Sequence, residues 1–427
     1  MKQLDRTVLV FGIIILYALS LYFYDYQRSY VSFYDAASYR VLAERILENG
    51  LGSFADKMRT FGYPWLLSLM IGGAGVLGLL SGLLVCLIQT SLYCAVVLVV
   101  VTRVALGARS RMVLYLALCG NILLSPYLGI TLTDGVFTVI ALLVLTLITT
   151  TAPKTAPFPT VAAILLLTGL AVVIRPAALW LAVPVAIWSG LGLTRDSWRR
   201  FLPAAAFGLV PLAVQIRLNL VHHGVFSFLP VTDLGSLQMK WGIESLKYAT
   251  VIGSFSPQDY YRTPPPINVS GAEAGLGWYA AHPFDAAILL LIKFFGAFDW
   301  EYLLPYPKEP TPLSWLLSLG TYSLVYWGMV GAALHAGTGR VPALGSRFLP
   351  AAAVLAWAAF TLPSAIEQRF TLPILVYLLV VMVCLFDSRA AFSRQTQGWL
   401  VAGHVLFLAA ALPIAMLVRG QQLHPLF

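Results

Sequence analysis

Few side chains in this chain can do acid–base or ionic chemistry, and those few are grouped. Asp35 opens the stretch Tyr34–Gly50. Lys57 and Arg59 come next, ahead of Tyr63-Pro64. Asp134 lies in Ser125–Gly135, Arg175 precedes Pro176, and Glu367 and Arg369 stand two apart in AIEQRFTLP. Carboxylates mixed with guanidinium and ammonium groups suit a site that holds a phosphate and works on a hydroxyl. The cations clamp the phosphate, and a carboxylate takes the hydroxyl proton. Each residue also has a plainer reading. Ser32-x-x-Asp35 resembles a capping box, and Thr133-Asp134 could cap a helix. Arg175 could snorkel between two spans, and Lys57 and Arg59 could touch lipid headgroups. Glu367 and Arg369 could pair with each other.

The element that must position Asp35 is a short helix. Tyr39, Leu42, Ala43, Ile46 and Leu47 recur on one helical face, and Gly50 can stop the helix. Arg40, Glu44, Arg45 and Glu48 fall largely on the other face. The pattern predicts an amphipathic helix lying on a membrane surface with a carboxylate at its start.

The rest of the chain is apolar. Hydrophobic residues make up 59% of the 427 residues and charged residues 11%, with a mean hydropathy of +0.83. A soluble domain carries about 25% charge. The expected architecture is all-α and polytopic, with no separate soluble domain. Asp25 follows the first apolar run without a small-residue cleavage site, which reads as a retained anchor. Cys86, Cys94, Cys119 and Cys384 sit in apolar runs and read as packing residues. His222, His223 and His282 lack a ligand pattern, so no metal site is expected. Tyr63, Trp65, Trp278 and Trp300 are expected in the aromatic belt at the membrane interface.

Uncharged runs mark about eleven spans: 7–24, 79–102, 112–125, 133–150, 160–174, 177–193, 201–216, 314–336, 348–363, 370–386 and 398–418. Phe61–Ile71 reads as an interfacial helix, and Phe284–Phe298, which carries Lys293, as juxtamembrane. With the N-terminus inside, the inner segments hold 13 basic residues against three acids, and the outer ones 14 basic against 15 acidic. This positive-inside bias accounts for the formal charge of +9 without nucleic acid. It places Asp35, Asp134, Arg175, Glu367 and Arg369 on one outer side. The outer loops are 25–78, with the amphipathic helix, and 222–313, read as a lid that shapes acceptor choice.

The order of these motifs resembles the GT-C superfamily of integral membrane glycosyltransferases, which includes protein O-mannosyltransferases and the aminoarabinose transferase of lipid A. Asp35, Tyr39, Ala43 and Gly50 match its first outer loop, and Arg59, Tyr63 and Pro64 its Arg and aromatic-Pro pair. Pro126 with Thr133-Asp134, Gly169 with Arg175-Pro176, His282-Pro283, and Glu367, Arg369, Phe370 and Pro373 follow in the same order, over roughly residues 1–386. The chain departs at Ala36, where many members carry a second acid, and this argues against a bound divalent cation.

The resemblance implies a GT-C-like fold in a bacterial cytoplasmic (inner) membrane, with the site facing outward. It implies a polyprenyl-phosphate-sugar donor and a glycan, lipid or protein acceptor, with inversion at the sugar. Asp35 and Asp134 would be catalytic, and Tyr39, Lys57, Arg59, Tyr63, Arg175, Glu367 and Arg369 would bind substrate or phosphate. The rival readings are a lipid or solute transporter or flippase, and a non-catalytic subunit of a cell-envelope glycan complex.

Overall fold

A computed structural model describes residues 5–28, 34–193, 198–250, 258–306 and 311–423. Helices dominate, as long runs of Leu, Val, Ala and Ile without charge require of a backbone that must satisfy itself in lipid. In order they are α1 (Arg6–Gln27), α2 (Tyr34–Asn49), α3 (Gly62–Leu77), α4 (Ser81–Arg103), α5 (Ala108–Cys119), α6 (Ser125–Leu128), α7 (Thr133–Thr150), α8 (Phe158–Ile174), α9 (Leu179–Gly192) and α10 (Trp198–His223). Then come α11 (Leu234–Glu244), β1 (Ser245–Thr250), β2 (Gln258–Arg262), α12 (Leu276–Ala281), α13 (Pro283–Phe298), α14 (Ser314–Thr338), α15 (Leu349–Thr361), α16 (Leu372–Asp387), α17 (Arg394–Gly420) and β3 (Gln422–Leu423).

Seven described helical stretches are long and apolar enough to cross a membrane: α1, α4, α7, α10, α14, Gln368–Asp387 and α17. Helices α3, α8 and α15 are apolar but shorter, as is the stretch Pro176–Gly192 that contains α9. Several expected boundaries move. A single helix over 112–125 does not form; α5 ends at Cys119, because the Asn121 carboxamide accepts hydrogen bonds from the Leu123 and Leu124 amides (3.1 and 3.2 Å) and turns the chain. The helix expected over Phe61–Ile71 runs on to Leu77, where Gly78 at φ 65° ends it. Helix α13 forms where the juxtamembrane segment was expected.

The chain divides into two compact units, residues 1–232 with 334–353, and 233–333 with 354–427. In the first, α8 and α10 approach closely. A side chain at Gly169 would meet the Gly208 carbonyl at 2.2 Å, so small residues set the spacing of these helices. Helix α2 lies along α3, with Ala36, Leu42, Ala43 and Ile46 buried. The end of α7 is closed by the segment 334–353: the Ser346 amide donates to the Thr149 carbonyl at 3.0 Å. Gly345, at φ 54°, passes so near that a Cβ would lie 2.6 Å from the same oxygen.

The second unit contains a small three-stranded antiparallel sheet, ordered β1-β2-β3, with Tyr248 opposite Tyr260. This sheet was not expected from the sequence, which showed only a polar outer stretch between His222 and Pro283. Trp278 and Tyr261 lie in the core of this unit with Leu246, Leu289 and Ile292.

Candidate functional site

Helix α2 begins at Tyr34, whose φ of 48° is unusual for a residue with a side chain. Ser32, the other half of the expected capping box, lies outside the described residues. The expected apolar face is formed in large part. Tyr39 and Ala43 pack on Tyr63 and Leu67 of α3, Val85 of α4, Val136 of α7 and Ile174 of α8; Leu47 stays exposed. Gly50 has a φ of 78°, the left-handed turn that only glycine takes without strain, and it ends the helix as expected.

Arg59 is presented by a turn built on Asp56. The Asp56 Oδ1 accepts hydrogen bonds from the Met58 and Arg59 amides at 2.7 and 2.6 Å. The turn is pinned on both sides: the Thr232 amide donates to the Lys57 carbonyl, and the Phe61 amide to Gln215 Oε1, each at 2.9 Å. So held, Arg59 Nη2 donates to Asp35 Oδ1 at 2.8 Å, and its guanidinium lies 5.3 Å from the Tyr39 ring centroid. Burial works against the Arg59 charge, but the hydrogen bond and charge of Asp35 more than offset it and raise its affinity for the proton. The Lys57 side chain is exposed.

Arg175 and Asp134 form a second pair. Arg175 is the extended residue between α8 and the short 3-10 turn Pro176–Ala178. Proline disfavours a helical residue before it, so the Arg-Pro pair both ends α8 and aims the guanidinium. Its Nη1 donates to Asp134 Oδ1 and, at 3.0 Å, to Thr133 Oγ1. Asp134 stands in the first turn of α7, where a carboxylate is favoured. Glycines permit this convergence. A Cβ on Gly62 would meet the Val173 carbonyl at 2.5 Å, and one on Gly135 the Tyr127 carbonyl at 2.5 Å. The start of α3 is thereby seated on the end of α8, beside Arg175.

Tyr39 connects the two pairs. Burial pushes its hydroxyl up to about 12, helped by the Asp35 charge and opposed by Arg59 and Arg175, with Asp134 also acting on it. All four charges therefore act on one phenol. Tyr63 backs Tyr39 edge-to-face at 5.1 Å. No family model, curated protein or solved structure matches the chain. The arrangement must be read from its own chemistry. Two guanidinium groups balance two carboxylates, so these cations do not wait as an open clamp; each is already held by an acid.

Glu367 and Arg369 belong to the second unit and pair with each other, Arg369 Nη2 donating to Glu367 Oε1 at 3.0 Å. Nearby in the same unit is a cluster that the sequence reading missed. Lys247 Nζ lies 3.4 Å from Asp299 Oδ2 and 3.2 Å from Glu301 Oε2. Tyr261 donates to Glu301 at 2.7 Å, and Arg419 donates to both Asp299 oxygens at 2.6 and 2.9 Å. Burial opposes the Asp299 charge, but Lys247 and Arg419 outweigh it and hold the carboxyl below its ordinary value. The partners come from β1, β2, the segment after α13 and the end of α17, too far apart in the chain for spacing to reveal them. Acids on either side of Trp300, at the end of an apolar helix, were the only available signal.

The aromatic expectation needs correction. Tyr63, Trp278 and Trp300 are buried in the protein and do not line a membrane interface; Trp65 is exposed. Their large apolar rings are used in packing, and Trp278 also stacks on His282 at 5.2 Å. Among the described residues no group of three or more His, Cys, Asp or Glu side chains is placed to hold a metal ion.

Proposed function

We propose that the protein is a membrane glycosyltransferase that moves a sugar from a polyprenyl-phosphate carrier to an acceptor hydroxyl. The observation that carries this reading is the convergence of the Asp35–Arg59 and Asp134–Arg175 pairs on Tyr39. Among the described residues, seven helical stretches are fit to cross a membrane. Carboxylates and guanidinium groups at one place supply both a proton acceptor and a counter-charge for a departing phosphate. A greasy polyprenyl tail needs a bundle of apolar helices beside that chemistry. Sugar phosphates need little acid assistance, because phosphate leaves readily. The acceptor oxygen attacks the anomeric carbon, its proton passes to the Asp35 carboxylate, and the carbon–oxygen bond to phosphate breaks with its electron pair going to the phosphate. In-line attack inverts the sugar.

The two acids divide the work. The Asp35 side chain is 43% exposed and that of Asp134 3%. Asp35 is open to an acceptor and serves as base. Asp134 is a positioning residue that holds Arg175. The site faces outward from the cytoplasmic membrane in this reading, a placement that the charge bias of the loops supports when α3 is taken as interfacial.

The test uses the purified full-length protein in nanodiscs with radiolabelled polyprenyl-phosphate sugar and a cell-envelope extract as acceptor. Release of polyprenyl phosphate is expected, and Asp35→Asn should slow it by about 10²–10⁴-fold. Equal turnover by both proteins sinks the mechanism. No turnover by either, with uptake of solute into proteoliposomes, would favour a transporter instead.

A further inference from the structure

The two pairs differ in how firmly they are held, and the difference bears on which cation meets the phosphate. Arg175 and Asp134 are 14% and 3% exposed, and Thr133 supplies a further acceptor. Arg59 and Asp35 are 20% and 43% exposed. Opening the first pair strands a buried charge, whereas opening the second exposes a carboxylate already half in the open. Arg59 also keeps its place without Asp35. Its amide stays bonded to Asp56 Oδ1 at 2.6 Å, the Asp56 Oδ2 lies 4.0 Å from its Nη1, and the Tyr39 ring lies against its guanidinium.

We propose that Arg59, not Arg175, receives the donor phosphate, and that it does so by exchanging its Asp35 partner for the phosphate. This rests on the transferase reading above and adds an order of events to it. Before the exchange, Asp35 Oδ1 is engaged by Arg59 Nη2. A phosphate offers the planar guanidinium two parallel charge-assisted hydrogen bonds, a better match than the Nη2–Oδ1 contact to Asp35. Once displaced, the carboxylate stands beside the phosphate with a lone pair released. A neighbouring anion favours proton uptake by a carboxylate. Donor binding thus releases the base from Arg59, and without donor the two stay paired. No atom or electron is required beyond those of donor and acceptor: the hydroxyl proton goes to Asp35, and the electron pair of the broken bond goes to the phosphate held on Arg59.

The exchange makes an unusual prediction about binding, independent of turnover. Removing a catalytic carboxylate should tighten the phosphate ligand. Full-length wild type, Asp35→Asn, Asp35→Ser and Arg59→Gln are placed in phosphatidylcholine nanodiscs. Each is titrated with polyprenyl phosphate, with polyprenol lacking the phosphate, and with inorganic phosphate. Asp35→Asn and Asp35→Ser should bind polyprenyl phosphate up to about five-fold more tightly, the value of a partly exposed ion pair no longer opposed. Arg59→Gln should weaken it by at least roughly ten-fold, the value of a charge-assisted hydrogen bond. Polyprenol should bind all four proteins alike. The same order with inorganic phosphate, at weaker affinity, supports an exchange made by the headgroup alone; the order with the lipid only supports one that needs the tail in place. Unchanged or weaker binding by both Asp35 variants overturns the exchange while leaving the transferase reading standing. Wild type that binds no polyprenyl phosphate and turns over no donor overturns both.

Discussion

The Asp134–Arg175 pair gives the sharpest test of the division between base and positioning residue. Asp134→Leu removes the carboxylate and keeps a branched side chain of similar reach. Arg175, 14% exposed, then retains Thr133 Oγ1 but loses its counter-charge. Breaking a buried pair from one side costs about 3–5 kcal/mol. The remaining hydroxyl contact and partial exposure put this case near the lower figure. At roughly 2 °C per kcal/mol for a large domain, the midpoint of thermal unfolding should fall by about 6 °C. The double variant Asp134→Leu/Arg175→Met removes both charges and should recover most of that loss, because a buried pair replaced by apolar groups of similar volume is close to neutral. Transfer activity should stay low in the double variant, since one of the two guanidinium groups acting on Tyr39 is gone. Tryptophan fluorescence during a thermal ramp reads the stability of all three proteins in one detergent. A single variant that unfolds within about 1 °C of wild type refutes the argument, because Arg175 would then be solvated, not buried with its partner. A double variant no more stable than Asp134→Leu refutes it as well.

Two further outcomes follow from the same geometry. Asp299 is held below the ordinary carboxylate value, so its contribution to stability is fully present above about pH 4 and is lost as the pH falls through its depressed value. The midpoint difference between wild type and Asp299→Asn should therefore shrink on acidification from pH 7 towards about pH 3, and a gap that stays constant contradicts the sign. Gly62→Ala places a methyl 2.5 Å from the Val173 carbonyl; moving α3 off α8 should cost about 1–3 kcal/mol and reduce transfer, and an unaltered thermal midpoint would show that the approach is looser than described.

Local features of the site were readable because they are written in neighbouring residues. The amphipathic spacing of Tyr39, Ala43 and Ile46 and the stop at Gly50 need only a helical period and a residue tolerant of positive φ. The pairing of Glu367 with Arg369 is likewise local. Long apolar runs announced the helices, and among the described residues seven stretches have the length to span. What could not be read was pairing at a distance. Arg59 and Arg175 looked like open cations, yet each is held by an acid from a different element. The Lys247 cluster draws on Glu301 and Asp299, and through Asp299 on Arg419, and no periodicity links them. Hydropathy also treated Tyr63, Trp278 and Trp300 as interface residues. Ring size and a polar atom suit an interface and a packed core equally, and only the neighbours decide.

The closure of α7 by Ser346 bears on how the chain is made. Everything else in that unit precedes residue 233, but the amide that meets the Thr149 carbonyl comes only after a further hundred-residue excursion. At about 5–20 residues per second, a ribosome needs roughly 5–20 s to cross residues 233–333. During that interval the first unit is on the membrane with the end of α7 unsealed and its glycine-fitted partner, Gly345, not yet made. A fragment stopped at Thr232 is therefore not a shorter version of this unit but an arrested stage in its synthesis.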